Sequence, residues 1–431
     1  SLNVLTIWWT LSSQEFLNSL AWIRIWSLPT NLSDFPDMIY LDHAATTPMD
    51  PIIAETVTRS MREDFANSGA VYRIGLDARN KIEEAREKIF ESLQLPEHFQ
   101  VIFVSGGTEA NNFFIKGVCG SGKSIASLGL EHSSIFESLR WLSKSGAPFL
   151  SLSKFQNKGR WELSGIDKLK AHKTNLLCLS HVNNEVGSVN DPFIIGAALK
   201  KESPDTRLFL DGVQAVGKID LSAQLWNCVV GYSISGHKIY GPKGIGVLVY
   251  NSRVAIEPFI HGGKQQLGLR SGTLPTPLIL GMAKAIEMAV KETEEKREKL
   301  FVLRKRLIEK LRDLESKSSN MNLRFNPSSE SINQSPAILN FSFPPVEGEP
   351  MLHHLEEHEI YVGIGSACSA RLKEPSRILT TMGISPEEAR CSLRISFGRD
   401  NKVDDVDCFV EAFGKVYEKL FPAFIRKGGR R

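Results

Sequence analysis

The chain has 431 residues, 42% of them hydrophobic and 23% charged, a composition that indicates a globular protein of two or three domains rather than a disordered, collagen-like or disulfide-rich chain. The formal net charge is only +3, so we expect no extended surface for nucleic acid or anionic membrane. The six cysteines are scattered without CxxC or paired Cys/His spacing, which argues against a disulfide framework or a metal site and favours a reducing compartment.

Residues 1–37 differ in texture from the rest of the chain and hold four of the seven tryptophans. They lack the basic start and cleavage pattern of a secretory signal, and Glu15 and Arg24 interrupt the run of about 20 apolar residues that a membrane span needs. We interpret them as an N-terminal extension of unknown role, either an amphipathic element or sequence upstream of a natural start at Met38. Cytoplasmic localisation is the simplest expectation, with organellar import left open.

From residue 75 onward, helical and strand-like patterns alternate. Helical spacing of apolar residues predicts helices at 76–93, 111–118 and 133–143. Short apolar runs predict strands at 101–104, 124–128, 149–152, 176–180, 207–210 and 229–234. Because these runs are continuous rather than alternating, they indicate a buried, mostly parallel sheet built from βαβ units.

The pattern changes near residue 275. One long helix rich in Lys and Glu is predicted from Pro275 to about Leu314, and a loop follows at 326–335. Shorter strands, predicted at 338–343, 360–362 and 393–397, then alternate with helices. We therefore expect a large domain at 51–274 and a smaller α+β domain formed by 38–50 and 275–431.

Residues 117–124, GVCGSGKS, fit the P-loop pattern GxxxxGK[ST]. A P-loop follows a strand and opens a helix, so that backbone N–H groups at the helix start can bind phosphate. Here the predicted helix comes before the motif and the predicted strand comes after it. The motif therefore predicts a glycine-rich turn from helix to strand rather than a nucleotide site.

Two segments at the ends of predicted strands carry polar groups suited to a ligand. SGGTE at 105–109 follows one strand, and its glycines and Thr108 could bind phosphate at the start of the next helix. Asp211 ends the strand at 207–210, at the edge where open α/β sheets bind ligands. Taken singly, the first segment is equally well explained as a tight turn with Thr108 as a helix cap, and the second is better explained as Asp211 capping the next helix.

A third segment, SGHK at 235–238, closes the strand at 229–234. Lys238 at this place suits Schiff-base formation, although most lysines are simply surface residues. Taken together, the three segments supply a combination of groups that indicates one particular cofactor. A phosphate site, an aspartate for a ring nitrogen and an imine-forming lysine are what pyridoxal 5'-phosphate (PLP) requires.

A fourth segment, GIGSACSA at 363–370, sets Cys368 among small residues between a predicted strand and the helix expected near Pro375. Such a position suits a nucleophilic thiolate. The other five cysteines lie amid apolar runs or helices and are interpreted as small hydrophobic residues.

A wider set of motifs runs in one order from about Met38 to Phe421. They are YLDHAATTP (40–48), SGGTEANN (105–112), EHS (131–133), HVNNEVG (181–187), DGVQAVGK (211–218), SGHKIYGPKGIG (235–246), RSGT (270–273), GSACSA (365–370) and RISFGR (394–399). In this order the set closely resembles the cysteine desulfurases, fold-type I PLP-dependent enzymes of the aminotransferase class V group. The resemblance implies an α/β transferase with a mostly parallel, seven-stranded sheet in the large domain and a smaller α+β domain.

Carried over position by position, the resemblance implies a role for each cofactor-binding residue. Lys238 would hold PLP as a Schiff base, and Asp211 would pair with the pyridine nitrogen. Gln214 would contact the phenolic oxygen, and His132 would stack on the ring. The phosphate would be bound by Gly107, Thr108, Ser235 and His237, joined by Thr273 from the partner subunit of a homodimer.

The resemblance also implies a reaction. Asn184 and Arg394 would hold the carboxylate of L-cysteine, Arg394 by bidentate pairing. Lys238 would remove the Cα proton, His132 is a candidate acid–base group, and Cys368 would accept the sulfur as a persulfide while alanine leaves. The implied partners are L-cysteine, a second copy of the chain, and a sulfur-acceptor or iron–sulfur scaffold protein, with no nucleic acid and no membrane.

Departures from the family pattern keep alternatives open. Tyr72 stands where many members carry His, and Lys264 stands where a third glycine is common. Because the related selenocysteine lyases can carry Tyr at the first place, that activity remains an alternative. A non-catalytic assembly subunit is the alternative of another class, but such a subunit has no chemical need for Lys238, Asp211, His132, Cys368 and Arg394 together.

Overall fold

The computed structural model describes residues 38–120, 122–157, 159–328, 333–365 and 374–428. The predicted N-terminal extension at 1–37 and the predicted sulfur acceptor Cys368 lie outside these ranges. Among the described residues, no helix has the length and apolar character needed to cross a membrane.

The structure alternates strands and helices, as predicted. The strands are β1 (Ile39–Tyr40), β2 (Phe99–Val104), β3 (Ile125–Ser127), β4 (Phe149–Ser151), β5 (Gln156–Asn157), β6 (Arg160–Trp161), β7 (Leu176–Ser180), β8 (Arg207–Asp211), β9 (Gly231–Ser235), β10 (Gly246–Asn251), β11 (Arg324–Phe325), β12 (Ile338–Ser342), β13 (Ile360–Tyr361) and β14 (Ser392–Ser396). The helices are α1 (Pro51–Glu63), α2 (Arg73–Ser92), α3 (Gly107–Cys119), α4 (Ser133–Lys144), α5 (Ile166–Ala171), α6 (Pro192–Glu202), α7 (Thr276–Lys291), α8 (Thr293–Lys317), α9 (Gly348–Glu356), α10 (Arg377–Thr381), α11 (Pro386–Arg390) and α12 (Val403–Gly428).

Seven strands form the central sheet in the order β2-β10-β9-β8-β7-β3-β4. Every neighbouring pair is parallel except those made by β10, which runs antiparallel to both β2 and β9. The predicted mostly parallel, seven-stranded sheet is thereby confirmed. Strand β10 was not predicted, because it follows β9 without a crossover helix and so falls outside the predicted βαβ alternation.

Both faces of this sheet are buried, which explains the continuous apolar runs. Along β2, Val101 and Phe103 enter one hydrophobic core, whereas Ile102 and Val104 enter the other. Helices α2 and α7 supply the first core, and α3 and α4 supply the second. The register of the sheet also aligns Ser180 of β7 with Asp211 of β8, at the carboxyl ends of these parallel strands.

A second, antiparallel sheet contains β11, β12 and β14. Strand β14 is joined by isolated bridges to Asp42 and Gly363, and β1 pairs with β13. These links bring the 40–48 motif beside Arg394. The predicted boundaries of the two domains remain a proposal.

The prediction of one long helix from Pro275 to about Leu314 is wrong. Two helices, α7 and α8, occupy this stretch, with Glu292 between them. The apolar α7 packs against α1 and α2, whereas the charged α8 packs against α12. The helix is interrupted at the point where the chain stops packing against α1 and α2 and begins to pack against α12. This change depends on tertiary contacts, which a continuous helical pattern in the sequence does not reveal.

The prediction for residues 117–124 is confirmed. Helix α3 ends at Cys119 and β3 begins at Ile125, the reverse of the P-loop order. Lys123 Nζ donates to the carbonyl oxygen of Val118, at 2.8 Å, and so binds back to the end of the preceding helix.

Packing across the second core generates a stability prediction. Phe114 of α3 stacks on Phe209 of β8 with ring centroids 4.8 Å apart, and both rings are fully buried. Phe114→Ala leaves a cavity under α3 and is expected to lower the free energy of unfolding by about 3–5 kcal/mol. Thermal and urea unfolding of the purified protein measure the change.

The control is Phe193→Ala, because this ring on α6 is 42% exposed. A change within about 0.5 kcal/mol is expected there, as for surface substitutions in general. Equal effects of the two substitutions would contradict the assigned packing.

Candidate active site

A cavity of about 280 Å³ opens at the carboxyl ends of β7, β8 and β9. Ten of the predicted site residues line it: Gly107, Thr108, His132, Asn184, Asp211, Gln214, Ser235, His237, Lys238 and Arg394. Of the remaining two, Thr273 is exposed and does not line the cavity, and Cys368 lies outside the described residues. The structure therefore gathers residues from widely separated motifs around one space.

Lys238 follows β9 in a short turn and points toward the 40–48 motif. Its Nζ donates to the carbonyl oxygens of Ala44 and Ala45, each at 2.5 Å. Gln214 Nε2 donates to the same Ala44 carbonyl at 2.8 Å. The segment of small residues thus holds the lysine and the glutamine on one wall of the cavity.

Asp211, at the end of β8, has hydrogen bonds to both carboxylate oxygens. Its Oδ2 accepts from Asn111 Nδ2 at 2.8 Å, and its Oδ1 accepts from the Val213 N–H at 3.0 Å and from Ser233 Oγ at 3.3 Å. Donors of this kind favour the charged carboxylate. Asn111 was not predicted as a site residue, although it lies in SGGTEANN one helical turn after Thr108, a spacing that places both on one face of α3.

His132 is the N-cap residue of α4, and its Nδ1 accepts from the Ser134 N–H at 3.1 Å. Burial lowers the pKa of His132; the charge of Asp211 raises it, and those of Lys238 and Arg377 lower it further. The ring is therefore neutral near pH 7. With Nδ1 acting as an acceptor, the proton lies on Nε2.

The start of α3 and the turn after β9 form a site suited to a phosphate group. Ser235 Oγ is buried and has no hydrogen-bond partner among the described residues. The N-cap residue Gly106 supplies no side-chain cap, and a Cβ on Gly107 would lie 2.5 Å from Val213 Cγ2, so this position accepts only glycine without a shift. A buried hydroxyl beside an uncapped helix N-terminus fits an anion.

Arg394 on β14 forms the opposite end of the cavity and is only 3% exposed. Its Nη1 donates to the Asn184 carbonyl oxygen at 2.9 Å, and its Nη2 donates to Asp42 Oδ1 at 2.6 Å. Arg394 Nε and Asn184 Oδ1 are buried without partners in the described part of the chain. An orphaned N–H donor in a buried guanidinium suits a carboxylate ligand. Asp42, which the sequence analysis did not single out, fixes the guanidinium plane.

Comparisons with known proteins agree with this geometry. The model of the aminotransferase class-V family matches residues 39–409. The chain belongs to this family.

Curated relatives and solved structures narrow the relationship. The cysteine desulfurase IscS of Dictyoglomus turgidum is 36% identical over 386 residues, which cover 89% of this chain and 95% of the relative. A solved NifS-like protein is similar with a TM-score of 0.79 and 30% identity, over 89% of this chain and 100% of that one. SspA in complex with cysteine is similar with a TM-score of 0.68 and 29% identity, over 83% and 98%. These matches place the chain among the cysteine desulfurases of the family.

Members of this family are PLP-dependent enzymes, and the cavity fits that cofactor. The orphaned Ser235 hydroxyl and the N-terminus of α3 suit its phosphate, and the Asp211 carboxylate suits a protonated ring nitrogen. The fold-type I α/β class and the PLP cofactor follow as predicted. The individual residue roles remain proposals.

Ser235→Ala tests the phosphate site. Removing one hydroxyl donor to a charged group is expected to weaken PLP binding to the apoenzyme about tenfold to a hundredfold, since such hydrogen bonds contribute about 1.5–3 kcal/mol. Absorbance titration of the apoenzyme with PLP measures the affinity.

Ser392→Ala is the matched control, because this buried hydroxyl donates to the Ala389 carbonyl oxygen away from the cavity. We expect it to bind PLP as wild type does. Wild-type affinity in Ser235→Ala would contradict the assignment.

Proposed function

We propose that the protein is a PLP-dependent cysteine desulfurase that converts L-cysteine to L-alanine and transfers the sulfur to Cys368 as a persulfide. The sulfur would then serve the synthesis of iron–sulfur clusters or other sulfur-containing biomolecules. The observation that carries the proposal is the convergence of Lys238, Asp211, His132 and Arg394 on one cavity. The relatives named cysteine desulfurase and the similar SspA complexed with cysteine support the same substrate.

The residues of the cavity have complementary tasks. When bound, PLP supplies a conjugated electron sink for the substrate amine. Asp211, held by Asn111 and Ser233, keeps the ring nitrogen protonated. Lys238 Nζ would hold the cofactor and, once free of it, would accept the proton from the substrate Cα.

The residues around Arg394 would orient the substrate. Arg394 and Asn184 bind the carboxylate of L-cysteine, and Asp42 keeps the guanidinium from rotating. This pairing would direct the amine toward Lys238 and leave the thiol to His132, since both residues line the same cavity. His132 Nε2, which carries the proton of the neutral ring, would be the group that exchanges a proton with the substrate thiol.

Cys368 completes the reaction by attacking the substrate sulfur as a thiolate. A new S–S bond replaces the Cβ–S bond, the electrons of that bond remain with the three-carbon fragment, and protonation at Cβ gives alanine. The flanks of the Cys368 segment support this assignment. A Cβ on Gly365 would lie 3.4 Å from Glu185 Oε2, and Ser376 Oγ donates to that same oxygen, so both flanks reach the residue next to Asn184.

We further propose a homodimer in which Thr273 of one chain adds to the phosphate site of the other. Thr273 is exposed and away from the cavity of its own chain. Large apolar side chains are also exposed on the chain, among them Phe65 at 77%, Val71 at 86% and Leu267 at 70%. Exposed apolar groups of this size are typical of protein interfaces. A cytoplasmic location and a sulfur-acceptor or scaffold partner complete the proposal.

The activity test is incubation of the PLP-loaded protein with L-cysteine and a reducing thiol. Equimolar alanine and sulfide are expected from wild type, because the thiol releases the persulfide sulfur. Cys368→Ala is expected to lose at least about a hundredfold in both products, as is usual for loss of a nucleophile. Alanine analysis and methylene-blue sulfide assay give the two rates.

The exposed Cys408 provides the matched control, and Cys408→Ala is expected to turn over as wild type does. Absence of alanine from the PLP-loaded wild-type protein would refute the proposed activity. Unchanged sulfide release by Cys368→Ala would refute the assigned sulfur acceptor.

Arg394→Lys tests carboxylate recognition. An ammonium group keeps the charge but cannot make the paired, planar contacts of a guanidinium, so the KM for L-cysteine is expected to rise about tenfold or more. The rate of alanine formation at varied L-cysteine gives KM. Arg324→Lys, in an exposed ion pair with Glu388, is the control and should leave KM unchanged. A KM within twofold of wild type in Arg394→Lys would contradict the role.

A further inference from the structure

Two consecutive residues follow closely on the Cys368 segment and begin α10. Ser376 is the N-cap of this helix, and its Oγ accepts from the Leu379 N–H at 3.1 Å. The same hydroxyl donates to Glu185 Oε2 at 2.5 Å. Glu185 is buried and follows Asn184 directly, so Ser376 is tied to the loop that presents the proposed carboxylate-binding residue.

Arg377, the next residue, makes a corresponding contact with the other loop of the cavity. Its Nη1 donates to the Gly129 carbonyl oxygen, and its Nη2 donates to the Glu131 carbonyl oxygen. The guanidinium carbon also lies 4.1 Å from the centre of the Phe136 ring. Glu131 immediately precedes His132, and Phe136 lies on the helix that His132 caps.

The backbone held by Arg377 has little support from the sheet, because β3 already ends at Ser127. Side chains bind it instead. The Leu130 carbonyl oxygen accepts from Asn183 Nδ2 at 3.0 Å. The Glu131 carboxylate accepts from both the backbone N–H and the hydroxyl of Ser180, each at 2.5 Å. The position of His132 therefore depends on contacts of this kind.

We propose that Arg377 is a positioning residue. It holds the residues that follow the Cys368 segment in a fixed position relative to the backbone of 129–131, which leads into His132, and Ser376 holds them in the same way to Glu185, next to Asn184. The inference rests on the proposed function, since it assigns the two residues to the geometry of sulfur transfer. Its basis is that neighbouring residues of one short helix bind the chain next to two different site residues.

The geometry differs from that of a simple ion pair. The guanidinium donates to two backbone carbonyls rather than to the nearby carboxylates, so it depends on where the backbone lies. A lysine offers one compact ammonium group, which cannot span the two carbonyls and lie flat against Phe136 at the same time. A lysine at position 377 keeps the positive charge, but we expect it not to hold this backbone in place.

The test compares PLP-loaded Arg377→Gln and Arg377→Lys with wild type in two measurements. In steady-state alanine formation, Arg377→Gln is expected to lose about tenfold to a hundredfold in kcat, the scale of a misplaced reacting group, with KM within threefold. Arg377→Lys should recover little of the loss. In hydrogen exchange measured by mass spectrometry, amides of peptides spanning 129–136 should exchange faster in both variants, while those of β12 and β14 stay at wild-type rates.

The control is Arg324→Gln, because Arg324 is exposed and neither it nor its ion-pair partner Glu388 lines the cavity. Wild-type kcat together with wild-type exchange in Arg377→Gln would overturn the proposal. So would faster exchange throughout the chain, which indicates a general structural role. If wild type itself forms no alanine, the proposed function fails, and the exchange of residues 129–136 alone then decides whether Arg377 holds this backbone.

Discussion

The site depends on the parallel alignment of β7, β8 and β9. Parallel strands bring their carboxyl ends to one edge, and the register places Asp211 opposite Ser180 and Ser233. From this edge Asp211 reaches Asn111 on α3, and the turn after β9 directs Lys238 into the same space. One hydrogen-bonding pattern thus sets the positions of Asp211 and Lys238 relative to each other, and the loops around them complete the cavity.

Charge balance is the second constraint on this region. Lys218 is buried, and its Nζ donates to Gln214 Oε1 at 2.8 Å. Burial together with the charges of Lys238, Lys296 and Arg394 lowers the pKa of Lys218 well below its usual value. Burial likewise lowers the pKa of His43 to about 3, so that ring is neutral. An environment crowded with cations favours anionic ligands, which explains why one cavity suits both a phosphate and a carboxylate.

The residue types at strand ends made much of the site predictable. Ten of the twelve predicted site residues line one cavity, and nine of these lie at the end of a strand, in the turn or loop after it, or at the start of a helix, which are positions that the edge of a parallel sheet collects. The tenth, Arg394, comes from within β14 of the second sheet. Asn111, Asp42 and Arg377 were missed for a common reason. Each acts on another residue rather than on a ligand, and its partner is 100, 352 or 248 positions away in sequence. The local sequence pattern around a residue does not indicate which distant residue it contacts.

The sequence by itself determined the alternation of strands and helices, the burial of the sheet on both faces, and the identity of the chemical groups. Those features depend on periodicity and residue type, which are local. Tertiary structure alone decided that β10 enters the sheet antiparallel, that the chain breaks its long helix at Glu292, and that Arg394 meets Asp42 and Asn184. These depend on which distant surfaces pack together, because a residue's partner across a core or a sheet is fixed only when the whole chain has folded.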